Sequence, residues 1–134
     1  MKTKYHCSDH CKYSLNLHFV FAVKYRKKLL TGNIDTDMKQ IMFEIAQLKG
    51  FEIKTMQSDI DHIHILIDTP QTFSPFDIAH QLKQISTFRI WQKYSTELKK
   101  HFWKERTFWS DGYFVCSTGD ASTETIQKYI DEQG

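Results

Sequence analysis

Residues 62–68 read His-Ile-His-Ile-Leu-Ile-Asp, and no other stretch limits the fold as tightly. Strand side chains alternate between faces, so Ile63, Ile65 and Ile67 share one side while His62 and His64 share the other. The isoleucine side needs an apolar layer, which helices would supply. The imidazole side is then the open face of a central strand. Residues 14–23 repeat the pattern, with Leu15, Leu17, Phe19, Phe21 and Val23 one way and Ser14, Asn16, His18, Val20 and Ala22 the other.

The remaining segments arrange themselves around these two strands. Residues 35–49 carry a helical stripe of Ile34, Met38, Ile41, Met42, Ile45 and Leu48, with Gly50 as the stop. Residues 51–57 read as a strand, and the turn Ser58-Asp59-Ile60-Asp61 makes it an antiparallel neighbour of 62–68. Ser74 followed by Pro75 is a helix start, and the pattern runs to about Leu98 with Ile78, Leu82 and Ile85 inward. Tyr113–Thr118 is a short strand, Gly119 breaks it, and 122–133 is a terminal helix capped by Ser122. The plan is βαββαβ, α+β class: a ferredoxin-like antiparallel sheet with helices on one face. At 134 residues the chain is expected to be a single domain.

Net charge is only +2, but it is unevenly spread. Residues 1–32 carry +6, 33–80 carry −5, 81–106 carry +5 and 107–134 carry −4. Two basic zones around an acidic one suit a polyanion partner and a site holding carboxylates or a cation, or else solvated faces of a near-neutral protein. No apolar run approaches the ~20 residues of a membrane span. No signal peptide is visible and the three cysteines are odd in number, so a reducing, cytoplasmic setting is expected. His6-Cys7-x2-His10-Cys11 offers zinc-ligand types, but it lacks a second ligand pair farther along, so free thiols are the better reading. There is no glycine-rich nucleotide loop.

His62 and His64, side by side, suit two ligands on one cation, although two hydrogen-bonded histidines on a solvated sheet would look the same. Tyr129 and Gln133 lie four apart on the terminal helix and so share a face with Ile126 and Ile130. Spacing alone leaves open a packed Tyr with a terminal Gln, or a nucleophile with an oxygen ligand.

Four motifs in order change the picture: Lys24-Tyr25-Arg26 after a strand containing His18, Asp61-His62-Ile63-His64, Phe108-Trp109-Ser110-Asp111-Gly112-Tyr113-Phe114-Val115, and Lys128-Tyr129-Ile130-Asp131-Glu132-Gln133. Together they closely resemble the single-tyrosine HUH transposases of small bacterial and archaeal insertion sequences, from about His18 to Gln133. The resemblance implies a transposase acting on single-stranded DNA with imperfect hairpins near the element ends. It implies Tyr129 as nucleophile and a divalent metal on His62, His64 and Gln133. It also implies a homodimer, with the mobile helix 122–133 completing the partner's site in trans. Two imidazoles and one amide are neutral donors that leave positions open for phosphate, which suits Mg²⁺ or Mn²⁺ better than zinc. The sequence does not identify the base that deprotonates Tyr129; a metal-bound water and an open-face carboxylate such as Asp61 are both candidates.

Lys24, Arg26, Lys27 and Lys28 are candidates for hairpin phosphates. Lys99, Lys100, Phe102, Trp103, Lys104 and Arg106 interleave charge with rings, as single-stranded bases require, and Lys83 and Arg89 add to that zone. The alternatives are a domesticated nuclease acting on chromosomal repeat palindromes and a non-catalytic ferredoxin-like RNA-binding module. The latter would place aromatics, not histidines, on the open face.

Overall fold

The computed structural model describes residues 5–7, 11–70, 72–117, 128 and 131–132. In chain order the elements are β1 (Tyr5–Cys7), β2 (Cys11–Ala22), α1 (Gly32–Lys49), β3 (Glu52–Asp59), β4 (His62–Pro70), α2 (Pro75–Leu98) and β5 (Phe114–Ser117), with a 3-10 turn at Lys24–Arg26. β2 and β4 are the central pair, antiparallel, with Val20 opposite His64 and Ala22 opposite His62. β3 pairs with the other edge of β4, and β5 pairs with β2 at residues 17–20. The order β5-β2-β4-β3 is that of a ferredoxin-like sheet, and β1 adds a short hairpin on β2 through Tyr5–Tyr13, His6–Lys12 and Cys7–Cys11.

The two alternating segments behave as their periodicity requires. Phe19, Phe21, Ile63, Ile65 and Ile67 are fully buried on one face of the sheet. Ile34, Met38, Ile41, Met42 and Ile45 of α1 and Ile78, Ala79, Leu82, Ile90 and Trp91 of α2 complete the same cluster. α1 and α2 are tied across their outer surfaces by Arg89 with Glu44 and by the Tyr94 hydroxyl with Asp37. Gly50 ends α1 at φ 95°, a left-handed conformation that a side chain would disfavour. Ser74 Oγ accepts the Asp77 amide at 3.0 Å, with Pro75 in the first turn of α2.

Several boundaries differ from the expectation. β2 starts at Cys11 and pairs with β1, which no periodicity announced because three residues are too few to establish one. α1 begins three residues early, at Gly32. Leu48, expected inward, is 78% exposed, because it falls on the outward side of the last turn. On the histidine face, Val20 and Ala22 are fully buried, so that face is open only in part. Ser122 and most of the expected terminal helix lie outside the described residues; Lys128, Asp131 and Glu132 are helical.

Candidate active site

The two-residue turn at Ile60–Asp61 brings β3 into β4 and starts β4 at His62. That fixes which way each imidazole points. His62 and His64 leave the same face, ring centroids 5.0 Å apart and nearly perpendicular. Each ring is held through its Nδ1. His62 Nδ1 lies 2.9 Å from Asp61 Oδ1, and a carboxylate can only accept, so Nδ1 carries the hydrogen and Nε2 is the atom left for a ligand when the ring is neutral. His64 Nδ1 lies 3.2 Å from His18 Nε2. When His64 donates in that contact, its own Nε2 is likewise a free donor atom.

The protonation state of His64 suits ligation. Burial, with help from the neighbouring charges of His62 and His18, pushes His64 down to about 4, so this ring is neutral at physiological pH. Burial also lowers His18. Asp61 loses something to burial, but hydrogen bonds from His62 and Arg26 outweigh that and hold its carboxyl below the usual range. Among the described residues, no three His, Cys, Asp or Glu side chains could hold a metal ion together. Two imidazole nitrogens on one face therefore supply part of a donor set, with no further His, Cys, Asp or Glu ligand beside them among the described residues. The residues present fit a divalent cation in that sense. Tyr129 and Gln133, the expected nucleophile and third ligand, lie outside the described residues.

The surroundings of Asp61 argue against a role as general base. Oδ1 is taken by His62, and Oδ2 lies 3.3 Å from Arg26 Nε. A carboxylate with both oxygens engaged and a lowered pKa is a poor proton acceptor. Its role here is to orient His62. Arg26 also reaches toward the C-terminal end, with Nη1 3.8 Å from Asp131 Oδ1 of the same chain. His18 touches the histidine pair directly and Arg26 acts on it through Asp61, roles that their sequence positions did not disclose.

The Phe108-Trp109-Ser110 motif serves structure. Phe108 and Trp109 are buried, the Trp109 indole donates to Ser86 at 2.9 Å, and the Lys24 amide donates to the Phe108 carbonyl at 2.8 Å. This pins the end of β2 where the basic turn begins. Over residues 11–133 the chain matches the model of the IS200-like transposases. It belongs to that family. It is 34% identical over 122 residues to the ISDra2 transposase TnpA of Deinococcus radiodurans, covering 90% of this chain and 85% of that one. It is 31% identical over 132 residues to the transposase for insertion sequence element IS200 of Salmonella typhimurium, covering 98% and 82%. A crystal structure from Deinococcus radiodurans R1, assigned as a transposase, superposes with TM-score 0.86 at 26% identity, covering 99% of this chain and 98% of that one. A REP-associated tyrosine transposase bound to a REP hairpin shares the fold at TM-score 0.55 and 15% identity, covering 93% and 69%.

The basic candidates of the transposase divide into two groups. Lys24 is committed to Glu105 at 3.4 Å and Asp111 at 3.6 Å. Arg26 is committed to Asp61, Arg89 to Glu44, and Lys83 Nζ donates to the Asp111 and Gly112 carbonyls at 2.8 and 3.2 Å. Lys28, Lys99, Lys100, Trp103, Lys104 and Arg106 are exposed, and Lys27 is half-buried. The turn at Lys24–Arg26 packs on the loop after α2, with Tyr25 against Phe102. The two basic zones, far apart in sequence, therefore meet in space. No helix among the described residues is long and apolar enough to cross a membrane.

Proposed function

We propose that this transposase cuts and rejoins single-stranded DNA at hairpin-marked element ends through a 5′-phosphotyrosine on Tyr129. The observation that carries the reading is the pair of imidazoles, His62 and His64, each held by its Nδ1 on one sheet face. Bound by these two rings and Gln133, Mg²⁺ or Mn²⁺ would polarise the scissile phosphate and offset its charge. Asp61 fixes the tautomer of His62, and His18 does so for His64. The Tyr129 oxygen attacks phosphorus, the bond to the 3′ oxygen breaks, and the phenolic proton ends on that leaving 3′-OH. A second 3′-OH then attacks the phosphotyrosine, the tyrosine takes a proton back, and the strand is resealed. Ester bonds are conserved in number, so no nucleotide hydrolysis is required.

The reading includes a homodimer in which helix 122–133 of one subunit serves the other. It also takes hairpin recognition as a property of this chain, in line with the hairpin bound by its fold neighbour. The test is covalent capture. Wild type incubated with a hairpin-bearing single strand from the flanking DNA should give a protein–DNA adduct on a denaturing gel. Tyr129→Phe should give none, and EDTA should suppress the adduct until Mg²⁺ or Mn²⁺ is added. An adduct formed by Tyr129→Phe would refute the nucleophile, and full activity in EDTA would refute the metal.

A further inference from the structure

Beside the Lys24–Arg26 turn lies a cleft of about 320 Å³, lined by Tyr25, Lys27 and residues 101–105 and 107. Its floor is Phe102, buried in the core. Two large rings stand at its rim, Tyr25 at 61% exposed and Trp103 at 75%. Tyr25 and Arg26 are consecutive non-glycine residues in the left-handed region, at φ 60° and 51°. That conformation costs conformational energy and persists only where surrounding contacts impose it, a pattern typical of functional sites. It sends the Tyr25 ring into the cleft while the next side chain reaches Asp61. Lys27 and Lys104 line the cleft and make no ion pair among the described residues, whereas Glu105 is neutralised by Lys24. Rings that can stack on a flat partner, flanked by unpaired cations, match a nucleobase with its phosphates.

We propose that this cleft is a stacking slot for one unpaired nucleotide of the DNA strand. The base lies against Tyr25 and Trp103, and Lys27 and Lys104 take the adjoining phosphates. The slot adjoins the turn that supplies Arg26, so it would set the register of the strand running into the histidine pair. The inference rests on the single-stranded DNA reading above.

The test uses oligothymidylate and an abasic strand of the same length. Trp91 and Trp109 are buried, so quenching of tryptophan emission on binding reports chiefly on Trp103. Wild type should bind oligothymidylate with quenching, and roughly tenfold or more tighter than the abasic strand, as one stacked base gives. In the Tyr25→Leu/Trp103→Leu protein, read by filter binding because the reporting indole is gone, that gap should nearly close, with weaker binding of oligothymidylate alone. Trp103→Leu by itself tests the same point in a protein whose fold this exposed position does not support. Equal wild-type affinity for both strands, or a gap that survives the substitutions, overturns the slot. Covalent capture with the hairpin strand, run on the same preparation, separates the two readings. An adduct without a base-dependent gap removes only the slot; no adduct and no binding to either strand removes both.

Discussion

His64 is the residue on which the candidate chemistry turns, because its position makes it neutral. Held at about 4 in the fold, against about 6.5 in the unfolded chain, it binds fewer protons when folded throughout that interval. The unfolded state therefore gains protons first on acidification, and stability is lost as pH falls from about 6.5 toward 4. The metal-free protein should lose at most about 2 kcal/mol between pH 7 and pH 5 through this group and its histidine neighbours, less as solvent screens the half-buried ring. Asp61 acts in the same direction at lower pH, since its folded carboxyl is held below its unfolded range. Urea titrations in EDTA at the two pH values measure the first effect, and His64→Gln should remove most of it. His18 supplies the second residue-level test. If it orients His64 through the 3.2 Å contact, His18→Ala should weaken Mn²⁺ binding by about 10- to 100-fold while the fold persists. Unchanged Mn²⁺ affinity by calorimetry would leave His18 without a positioning role.

At the scale of elements, β4 connects packing to chemistry, since its isoleucines build the core while its histidines build the site. Ile65→Ala should cost about 2–5 kcal/mol, because a fully buried side chain in a close-packed layer leaves a cavity. A loss under about 1 kcal/mol by urea unfolding would mean that the layer is looser than its burial implies. The strong elements were legible because local rules decide them: alternation for β4, Ser74-Pro75 for the start of α2, Gly50 for the end of α1. The pairing of His62 with His64 was legible for the same reason. What escaped was non-local. His18 meets His64 across 46 residues, Lys24 meets Glu105 across 81, and Arg89 meets Glu44 across 45. The number of basic residues registers charge but not its partner, so Lys24, Arg26 and Arg89 looked free for DNA. β1 escaped because three residues hold too little pattern to register.

At the scale of the molecule, internal pairing redistributes the positive surface. With Lys24 and Arg26 engaged, Lys27 and Lys28 are the cations of the 24–28 stretch without an ion pair among the described residues, and Lys27 shares a cleft with Lys104, which follows α2. Salt dependence should then report on Lys27, Lys28, Lys99 and Lys100 more than on Arg26. Lys99→Ala with Lys100→Ala should reduce the slope of log K against log salt by about 0.7 for each single-strand phosphate left without its lysine. An unchanged slope in filter binding would move the strand off this surface.

The last question at this scale is which subunit's tyrosine serves which histidines. Asp131, two residues from both Tyr129 and Gln133, lies 3.8 Å from Arg26 of its own chain. Asp131 is mostly exposed, and an ion pair of that kind contributes about 0–1 kcal/mol. On its own, such a contact is too weak to fix the end of the chain on one sheet. The sequence reading expects a joint at Gly119-Asp120-Ala121 and a narrow apolar stripe of Ile126 and Ile130, positions that lie outside the described residues. The proposed homodimer would use a helix that can serve either subunit. A mixed dimer decides the matter, one subunit His62→Ala/His64→Ala and the other Tyr129→Phe. Each homodimer should be inactive. In a trans arrangement the mixed dimer holds one site with both histidines and the tyrosine, and adduct formation should partly return. In a fixed cis arrangement every site lacks a component, so a mixed dimer that binds hairpin DNA yet forms no adduct would refute shared sites.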